Sequence, residues 1–220
     1  MNKETLASYI DATIVKNNNT FEDVDALIKA AKEYNFKTAF TMPCYTAYLA
    51  EALKDTNVGI GGVAGFPWGG EMSEAKALEA QMGVKAGADE IDIVINLGYL
   101  FSKNYDLVLK DIVTVRNAVP DTTLKCIIES SMLTKEQIKT ATQIVVDSGA
   151  DFVKCCTGFH GTASLEQVET MLSVTQGKIK IKASGGIRTY SDAVSFINAG
   201  ADRLGIGFES AVKILNEVID

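Results

Sequence analysis

Four ionisable residues, Asp11, Asp92, Lys154 and Lys182, stand inside otherwise apolar stretches of the sequence. Lysine is almost never fully buried unless another group compensates its charge. Two lysines in one cavity repel each other, which favours the neutral amine, and a neutral lysine can attack a carbonyl carbon and form a Schiff base. An acid such as Asp92 could move protons or pair with the lysine that stays charged. The four residues therefore indicate imine chemistry, with Lys154 as the candidate nucleophile.

Two interpretations without chemistry stay open for the same residues. Lys154 could be a strand-end lysine whose ammonium simply reaches water past its apolar stem. The two acids and two lysines could instead form buried salt bridges. Such pairs add little net stability over apolar packing, so their presence inside strands needs another reason.

The elements that must position these residues follow from the hydrophobic pattern, which alternates strand-like and helix-like segments. The eight predicted strands are Ser8–Val15, Phe36–Met42, Val58–Val63, Glu90–Asn96, Leu124–Glu129, one within Gly149–Phe159, Ile179–Ser184 and Arg203–Gly207. The predicted helices start after Thr20, cover Tyr45–Leu53, Ser73–Ala86 and Tyr105–Ala118, follow capping boxes at Thr134–Gln137 and Ser164–Gln167, and cover Ser191–Ala199 and Phe208–Val218.

Eight strand–helix units in one uninterrupted chain predict an α/β protein with a (β/α)8 TIM barrel as a single domain over 1–220. The tripeptide Gly-Ala-Asp precedes three of the strands, at 87–89, 149–151 and 200–202, and indicates one helix-to-strand turn used three times. A doubly wound open sheet is the alternative. It usually carries a glycine-rich fingerprint after the first strand, where this chain has Lys16-Asn17-Asn18-Asn19.

Composition restricts the classes of partner. The net charge of -7 argues against a nucleic-acid or anionic-membrane surface, because both attract clustered Lys and Arg. No apolar run approaches the roughly 20 residues of a membrane span, and the N-terminal residues are polar. We expect a cytoplasmic protein with a small-molecule substrate, no nucleic-acid partner and no membrane partner, and a homodimer is compatible with these features.

Cysteine and histidine spacing predicts no metal site, and no cofactor is expected. Cys44, Cys126, Cys155 and Cys156 contain no CxxC pair, and His160 is the only histidine. The simplest interpretation of the thiols is that they are reduced and packed. His160 is expected in a surface loop.

Glycines cluster in the loops expected at one side of the barrel mouth. Gly158 follows the sixth strand, Ser184-Gly185-Gly186 the seventh, and Gly205-Ile206-Gly207 belongs to the eighth. Barrel enzymes often bind phosphate with the loops after strands seven and eight, where glycine lets the backbone approach the oxygen atoms. Arg188 could add charge there, so these loops predict a phosphate subsite.

Several segments resemble the deoxyribose-phosphate aldolase family, in order and across nearly the whole chain. They are Asp11-Ala12-Thr13, Gly65-Phe66-Pro67, Gly87 to Asn96, Gly149 to Phe159, and Lys182 to Arg188. The resemblance implies a class I, metal-independent aldolase on a (β/α)8 barrel. The implied reaction is the reversible cleavage of 2-deoxy-D-ribose 5-phosphate to acetaldehyde and D-glyceraldehyde 3-phosphate, a step of deoxyribose phosphate catabolism.

The resemblance also implies roles. Lys154 matches the Schiff-base lysine, Lys182 the lysine that perturbs it, and Asp92 the acid of the proton relay. The remaining residues of the predicted substrate site are Asp11, Thr13, Thr157, Gly158, Ser184, Gly185, Gly186, Arg188, Gly205 and Gly207.

Some positions depart from the family pattern. Family members often have His at Ala12 and Thr-Ser at Cys155-Cys156, and the run Ile206 to Ser210 replaces a small Thr-Ser-Ser run and brings in Glu209. Trp68 is also larger than the usual aliphatic residue. Two alternatives follow: a related class I aldolase that acts on a different aldehyde, and a barrel that binds a phosphorylated ligand without catalysis.

Overall fold

Eight parallel strands close into a barrel in sequence order, and a helix follows each strand. The computed structural model describes residues 1–218. Closure is visible at the first strand, which pairs with the second and also with the eighth. This confirms the predicted (β/α)8 barrel and excludes the doubly wound open sheet. Residues 219–220 of the predicted domain lie outside the described residues.

The strands are β1 (Ile10–Ile14), β2 (Thr38–Thr41), β3 (Gly59–Ala64), β4 (Glu90–Val94), β5 (Thr123–Ile127), β6 (Phe152–Lys154), β7 (Lys180–Ser184) and β8 (Arg203–Gly207). The α-helices are α1 (Lys3–Ala7), α2 (Phe21–Tyr34), α3 (Thr46–Leu53), α4 (Ser73–Lys85), α5 (Leu97–Phe101), α6 (Tyr105–Ala118), α7 (Lys135–Asp147), α8 (Leu165–Thr175), α9 (Tyr190–Asn198) and α10 (Phe208–Asn216). Two 3-10 turns, Pro43–Tyr45 and Ser130–Met132, complete the pattern.

Capping signals located the helix starts well. The Thr20 side chain accepts a hydrogen bond from the Asp23 backbone, and the capping boxes at Thr134 and Ser164 are both formed. Helices α1 and α5 were not predicted, because each has only five residues and shows no repeating apolar face. Within residues 1–218, no helix combines the length and the apolar content that a membrane span requires.

The three Gly-Ala-Asp tripeptides form the same turn, which joins neighbouring strands in pairs. Their glycines, Gly87, Gly149 and Gly200, have φ values of 103°, 77° and 101°, a left-handed conformation that favours glycine. Each aspartate accepts a hydrogen bond from a backbone N–H on the preceding strand. The bonds run from Ile60 to Asp89, from Leu124 to Asp151 and from Ile181 to Asp202, each 2.8 Å long. The turns thereby hold β4, β6 and β8 in register with their neighbours.

We expect Asp202→Ala to lower the free energy of unfolding by about 1 to 3 kcal/mol, because the Ile181 N–H loses its carboxylate acceptor. Urea denaturation measures this change. Asp121→Ala is the matched control, since Asp121 is an exposed aspartate in the turn before β5 and its loss should cost less than about 0.5 kcal/mol. Equal midpoints for the two variants would contradict a clamping role for Asp202.

Candidate active site

A cavity of about 660 Å³ opens at the carboxyl ends of the strands. Its walls come from the residues that end β1, β3, β6, β7 and β8 and from the loops that follow these strands. Asp92 and Lys154 line the cavity from inside the barrel. The chemistry of a (β/α)8 barrel is found at this end, so the cavity is the candidate active site.

Lys154 and Lys182 meet at one carboxylate. Strand pairing places Lys154 on β6 directly opposite Lys182 on β7. The Nζ atoms of both lysines lie 2.7 Å from Oδ2 of Asp92, and Lys182 Nζ lies 2.6 Å from Oδ2 of Asp11. The structure therefore brings together the four ionisable residues that the sequence singled out, although they are up to 171 positions apart (from 11 to 182).

The two lysines differ in their access to the cavity. Lys154 is 5% exposed and belongs to the cavity lining, whereas Lys182 is 0% exposed and lies beneath it. The Phe40 ring, which also lines the cavity, has its centroid 4.1 Å from Lys182 Nζ and forms a cation–π contact with it. A substrate in the cavity can therefore reach the Lys154 amine but not the Lys182 amine.

Burial, helped by the nearby ammonium groups of Lys154 and Lys125, lowers the pKa of Lys182 to about 8 against the opposing effect of Asp11 and Asp92. Below pH 8 Lys182 carries a proton, and above pH 8 it is mostly neutral. A buried group that gains and loses a proton close to neutral pH is suited to proton transfer.

Asp92 stays ionised. Burial would raise the pKa of this carboxyl, but the charges of Lys154, Lys182 and Lys125 outweigh burial and hold the pKa well below its usual value. An ionised carboxylate in contact with both lysines can accept a proton from the one that is protonated and pass it to the one that is a neutral amine. Asp92 is thus in position to connect the amine that lines the cavity with the amine beneath it.

A second layer of ions lies deeper in the barrel, and the sequence analysis missed it. Lys125 Nζ lies 3.3 Å from Oδ1 of Asp92 and also contacts Glu90. Arg203 donates from Nε to Oδ1 of Asp11 over 2.8 Å and from a terminal nitrogen to Glu90 over 3.2 Å. Lys125 stands inside a predicted strand, whereas Glu90 and Arg203 begin predicted strands. Applying the ionisable-residue criterion to every strand position would have found all three.

The charges of this network do not balance when every group is ionised. Among the described residues, its cations are Lys125, Lys154, Lys182 and Arg203, and its carboxylates are Asp11, Glu90 and Asp92. Four cations face three anions, so the network becomes neutral when one amine loses its proton. Burial in a low-dielectric interior favours that neutral state. The network therefore favours the loss of one proton from its amines.

Most of the predicted substrate-binding residues line the cavity: Thr13, Thr157, Gly158, Ser184, Gly185, Gly186, Gly205 and Gly207. Asp11 and Arg188 do not. Asp11 is fully buried beneath Lys182, and Arg188 is an exposed residue whose backbone N–H donates to Asp192 over 3.2 Å. The predicted contact of Arg188 with the substrate therefore stays a prediction.

Two of the polar lining residues already have protein partners. Thr157 donates from Oγ1 to Glu129 over 2.6 Å, and Ser184 donates from Oγ to the carbonyl of Cys156 over 2.6 Å. Glu129, which sequence reasoning missed, is 1% exposed and has a left-handed φ of 50°. These hydrogen bonds hold the loop after β6 in place beside Lys154.

The two adjacent cysteines are packed thiols. Cys155 and Cys156 are both fully buried. Burial raises the pKa of Cys155 to about 12 and also raises the pKa of Cys156. Both therefore stay protonated at neutral pH, which does not suit a thiolate nucleophile. Among residues 1–218, His, Cys, Asp and Glu form no group of three or more that could hold a metal ion.

Aromatic side chains from two loops meet beside the cavity. Phe66 and Phe159 both line it, and their ring centroids lie 5.8 Å apart at an edge-to-face angle of 80°. Trp68 is 64% exposed and packs against His160 with centroids 5.2 Å apart, and neither residue belongs to the lining. The phenylalanines give the cavity an apolar wall, and the Trp68–His160 pair joins the same two loops on the outside.

Comparison with known proteins gives consistent results. The model of the family described as DeoC/LacD family aldolase matches residues 5–215. A deoxyribose-phosphate aldolase of Mycoplasma capricolum is 43% identical over 213 residues, which is 96% of each chain. One of Staphylococcus carnosus is 46% identical over 200 residues, covering 90% of this chain and 91% of the relative.

Solved structures extend this similarity to the fold. A deoxyribose phosphate aldolase from Aeropyrum pernix, described as having a unique tetrameric structure, superimposes with a TM-score of 0.88 at 33% sequence identity. The match covers 97% of this chain and 91% of that chain. The fold of this chain is therefore similar to that of the Aeropyrum pernix aldolase over nearly its whole length.

Proposed function

The chain belongs to the DeoC/LacD family of aldolases, and on that premise we propose that Lys154 forms a Schiff base with 2-deoxy-D-ribose 5-phosphate. The reaction is the reversible cleavage of this sugar to acetaldehyde and D-glyceraldehyde 3-phosphate. One observation carries the proposal: Lys154 is the lysine of the buried ion network that lines the cavity, and its Nζ lies 2.7 Å from Asp92.

The reaction begins with the neutral Lys154 amine, which adds to C1 of the open-chain sugar. The resulting carbinolamine takes up a proton on its oxygen and loses water, which leaves a protonated imine. Asp92 touches Lys154 Nζ and can carry the protons that this exchange requires. Lys182 donates to the same carboxylate oxygen of Asp92 from deeper in the barrel and can supply protons to Asp92.

Carbon–carbon cleavage follows from the imine. The 3-hydroxyl group gives up its proton, the C2–C3 bond breaks, and D-glyceraldehyde 3-phosphate leaves. The electron pair of that bond moves towards the imine nitrogen and forms an enamine. Protonation of the enamine at C2 gives the imine of acetaldehyde, which water hydrolyses to acetaldehyde and the free Lys154 amine. Each proton removed during the reaction is returned, so Lys154 is again a neutral amine at the end of the cycle.

An assay of the purified chain with 2-deoxy-D-ribose 5-phosphate tests this function. We expect both products to appear in equal amounts, and we expect EDTA to leave the rate unchanged. A rate that EDTA abolishes would indicate a metal-dependent aldolase. If neither product forms from this sugar or from other 2-deoxy sugars, the aldolase proposal fails.

We expect kcat to fall as the pH rises through about 8, because Lys182, whose pKa is about 8, then loses the proton that it supplies through Asp92. Replacing Lys182 with Gln should remove this alkaline decrease and lower kcat at neutral pH by about 10²-fold. The measurement is the pH profile of kcat for both proteins, with circular dichroism at each pH to verify folding. If the decrease persists in Lys182→Gln, another group titrates.

Two further expectations belong to this proposal. A homodimer is the assembly that we propose, and sedimentation at several protein concentrations would test it. Exposed apolar side chains such as Met72, Leu78 and Met82, which are 75%, 57% and 62% exposed, support association.

We also propose the cytoplasmic location that is expected from the sequence. Fractionation of cells that produce the protein would test this location.

A related aldolase that acts on a different aldehyde is the second candidate function. The observation that favours it is the position of Glu209, which lines the same cavity as Lys154. Imine formation at Lys154 would be the same in both cases, so the two candidates differ only in what the far end of the cavity accepts.

A further inference from the structure

The Phe40 ring covers two lysines of the ion network that do not line the cavity. Phe40 is the third residue of β2, is 1% exposed and lines the cavity itself. Its ring centroid lies 4.1 Å from Nζ of Lys182 and 4.9 Å from Nζ of Lys125. Both of these lysines are 0% exposed, whereas Lys154 belongs to the cavity lining. The ring therefore lies between the space for the substrate and the two buried ammonium groups.

Gly61 on β3 makes room for this ring. Strand pairing sets Gly61 opposite Phe40, and a Cβ added at Gly61 would lie 2.3 Å from Cε1 of the ring. Packed atoms do not approach each other that closely, so a side chain at position 61 would push the ring aside. Glycine inside a strand often marks such a close approach. The bare backbone of β3 thus lets the ring lie over the lysines.

The shared carboxylate does not distinguish Lys154 from Lys182. Each Nζ lies 2.7 Å from the same oxygen of Asp92. Lys182, whose pKa is about 8, is also mostly neutral in mildly alkaline solution, and a neutral lysine is a competent nucleophile. Access to the cavity separates the two lysines, and that access depends on the side chain that covers Lys182.

The proposed aldolase function needs one lysine that reacts and another that stays free for proton transfer. Resting on that function, we propose that Phe40 is a positioning residue that directs imine formation to Lys154 by closing Lys182 off from the cavity. Without the ring, a small aldehyde reaches the neutral Lys182 amine. The amine nitrogen then bonds to the carbonyl carbon, the carbonyl oxygen leaves as water, and an imine forms at position 182.

The test is carried out in Lys154→Met, so that the proposed nucleophile is missing. Two double variants are compared: Lys154→Met with Phe40→Val, and Lys154→Met with the matched control Phe66→Val. Phe66 also lines the cavity, but its ring packs against Phe159. Valine at position 40 suits a strand because it branches at Cβ, and its side chain ends where the phenyl ring begins.

Each protein is treated with acetaldehyde and borohydride at about pH 9, where Lys182 is mostly neutral. Borohydride delivers hydride to the imine carbon and water supplies a proton to the nitrogen, which leaves an N-ethyl lysine. Peptide mass spectrometry measures the modified fraction at position 182 relative to that at Lys135, whose side chain is 59% exposed. We expect this fraction to be about tenfold or more higher with Phe40→Val than with Phe66→Val, since a buried amine otherwise reacts only during local opening.

Equal fractions at position 182 in the two double variants would overturn the proposal, and so would an increase at Lys125 in place of Lys182. Circular dichroism verifies that each protein is folded, because unfolding would expose every lysine. If valine at position 40 prevents folding, leucine replaces valine in both double variants. Leucine fills more of the space but still lacks the outer part of the ring, so the same two outcomes decide.

The same treatment of the unmodified chain separates this proposal from the aldolase function. An adduct on Lys154 supports the function, and the absence of an adduct there overturns it. In either case the two double variants still decide whether Phe40 closes Lys182 off from the cavity, because that comparison depends on position 182 alone.

Discussion

Lys154→Met is expected to lower kcat for cleavage by about 10⁴-fold or more, because it removes the cavity amine that lies beside Asp92 and forms the imine. Lys182 contacts the same Asp92 carboxylate as Lys154, but it is fully buried and does not line the cavity. Methionine matches the length of the lysine stem, so the packing around β6 should change little.

The fold should survive this substitution for an electrostatic reason. Without the Lys154 ammonium, three cations face three carboxylates in the network, and no carboxylate is left without a partner. Circular dichroism and the urea midpoint of the variant should therefore stay close to those of the unmodified chain. The steady-state rate of product formation measures the loss of activity. Retention of more than about one percent of kcat in a folded variant would remove Lys154 from its proposed role.

Asp92→Asn is expected to damage both stability and activity. Asp92 contacts three lysines, Lys125, Lys154 and Lys182, so its removal leaves four cations with two carboxylates inside the barrel. Breaking a buried ion pair from one side typically costs about 3 to 5 kcal/mol, because a buried charge loses its partner. We also expect kcat to fall by about 10³-fold, since the path for protons between the lysines is lost.

A buried pair elsewhere in the molecule provides the matched control. Lys76 on α4 lies 2.8 Å from Asp111 on α6, both side chains are fully buried, and neither residue lines the cavity. Asp111→Asn should lower the free energy of unfolding by a similar amount, but the folded enzyme should keep its kcat. Urea denaturation and initial rates on both variants measure the two effects. A normal kcat in folded Asp92→Asn would contradict the proton relay and leave Asp92 with a structural role only.

Much of this fold could be predicted because local signals repeat eight times. Capping residues such as Thr134 and Ser164 locate helix starts, and Gly-Ala-Asp locates three strand starts. These signals depend on neighbouring residues, and a single sequence contains them. Helices α1 and α5 are too short to carry a periodic signal, and the structure alone revealed them.

The sequence predicted which residues form the site better than it predicted how they contact one another. Ionisable residues inside apolar strands pointed to Asp92, Lys154 and Lys182, because burial of a charge is costly wherever the strand lies. That Asp92 touches both lysines depends on strand pairing across positions up to 90 residues apart, which no local pattern contains. Asp11 shows the same limit, since its place in β1 did not reveal that its carboxylate would contact Lys182 rather than line the cavity.

The most direct test of the central claim is reductive trapping with borohydride in the presence of acetaldehyde, followed by peptide mass spectrometry. If Lys154 forms the imine, the reduced product is an N-ethyl lysine at position 154, it accumulates only when acetaldehyde and borohydride are both present, and it is missing from Lys154→Met. An adduct on Lys182, or no adduct at all in an enzyme that turns over its substrate, would contradict the account.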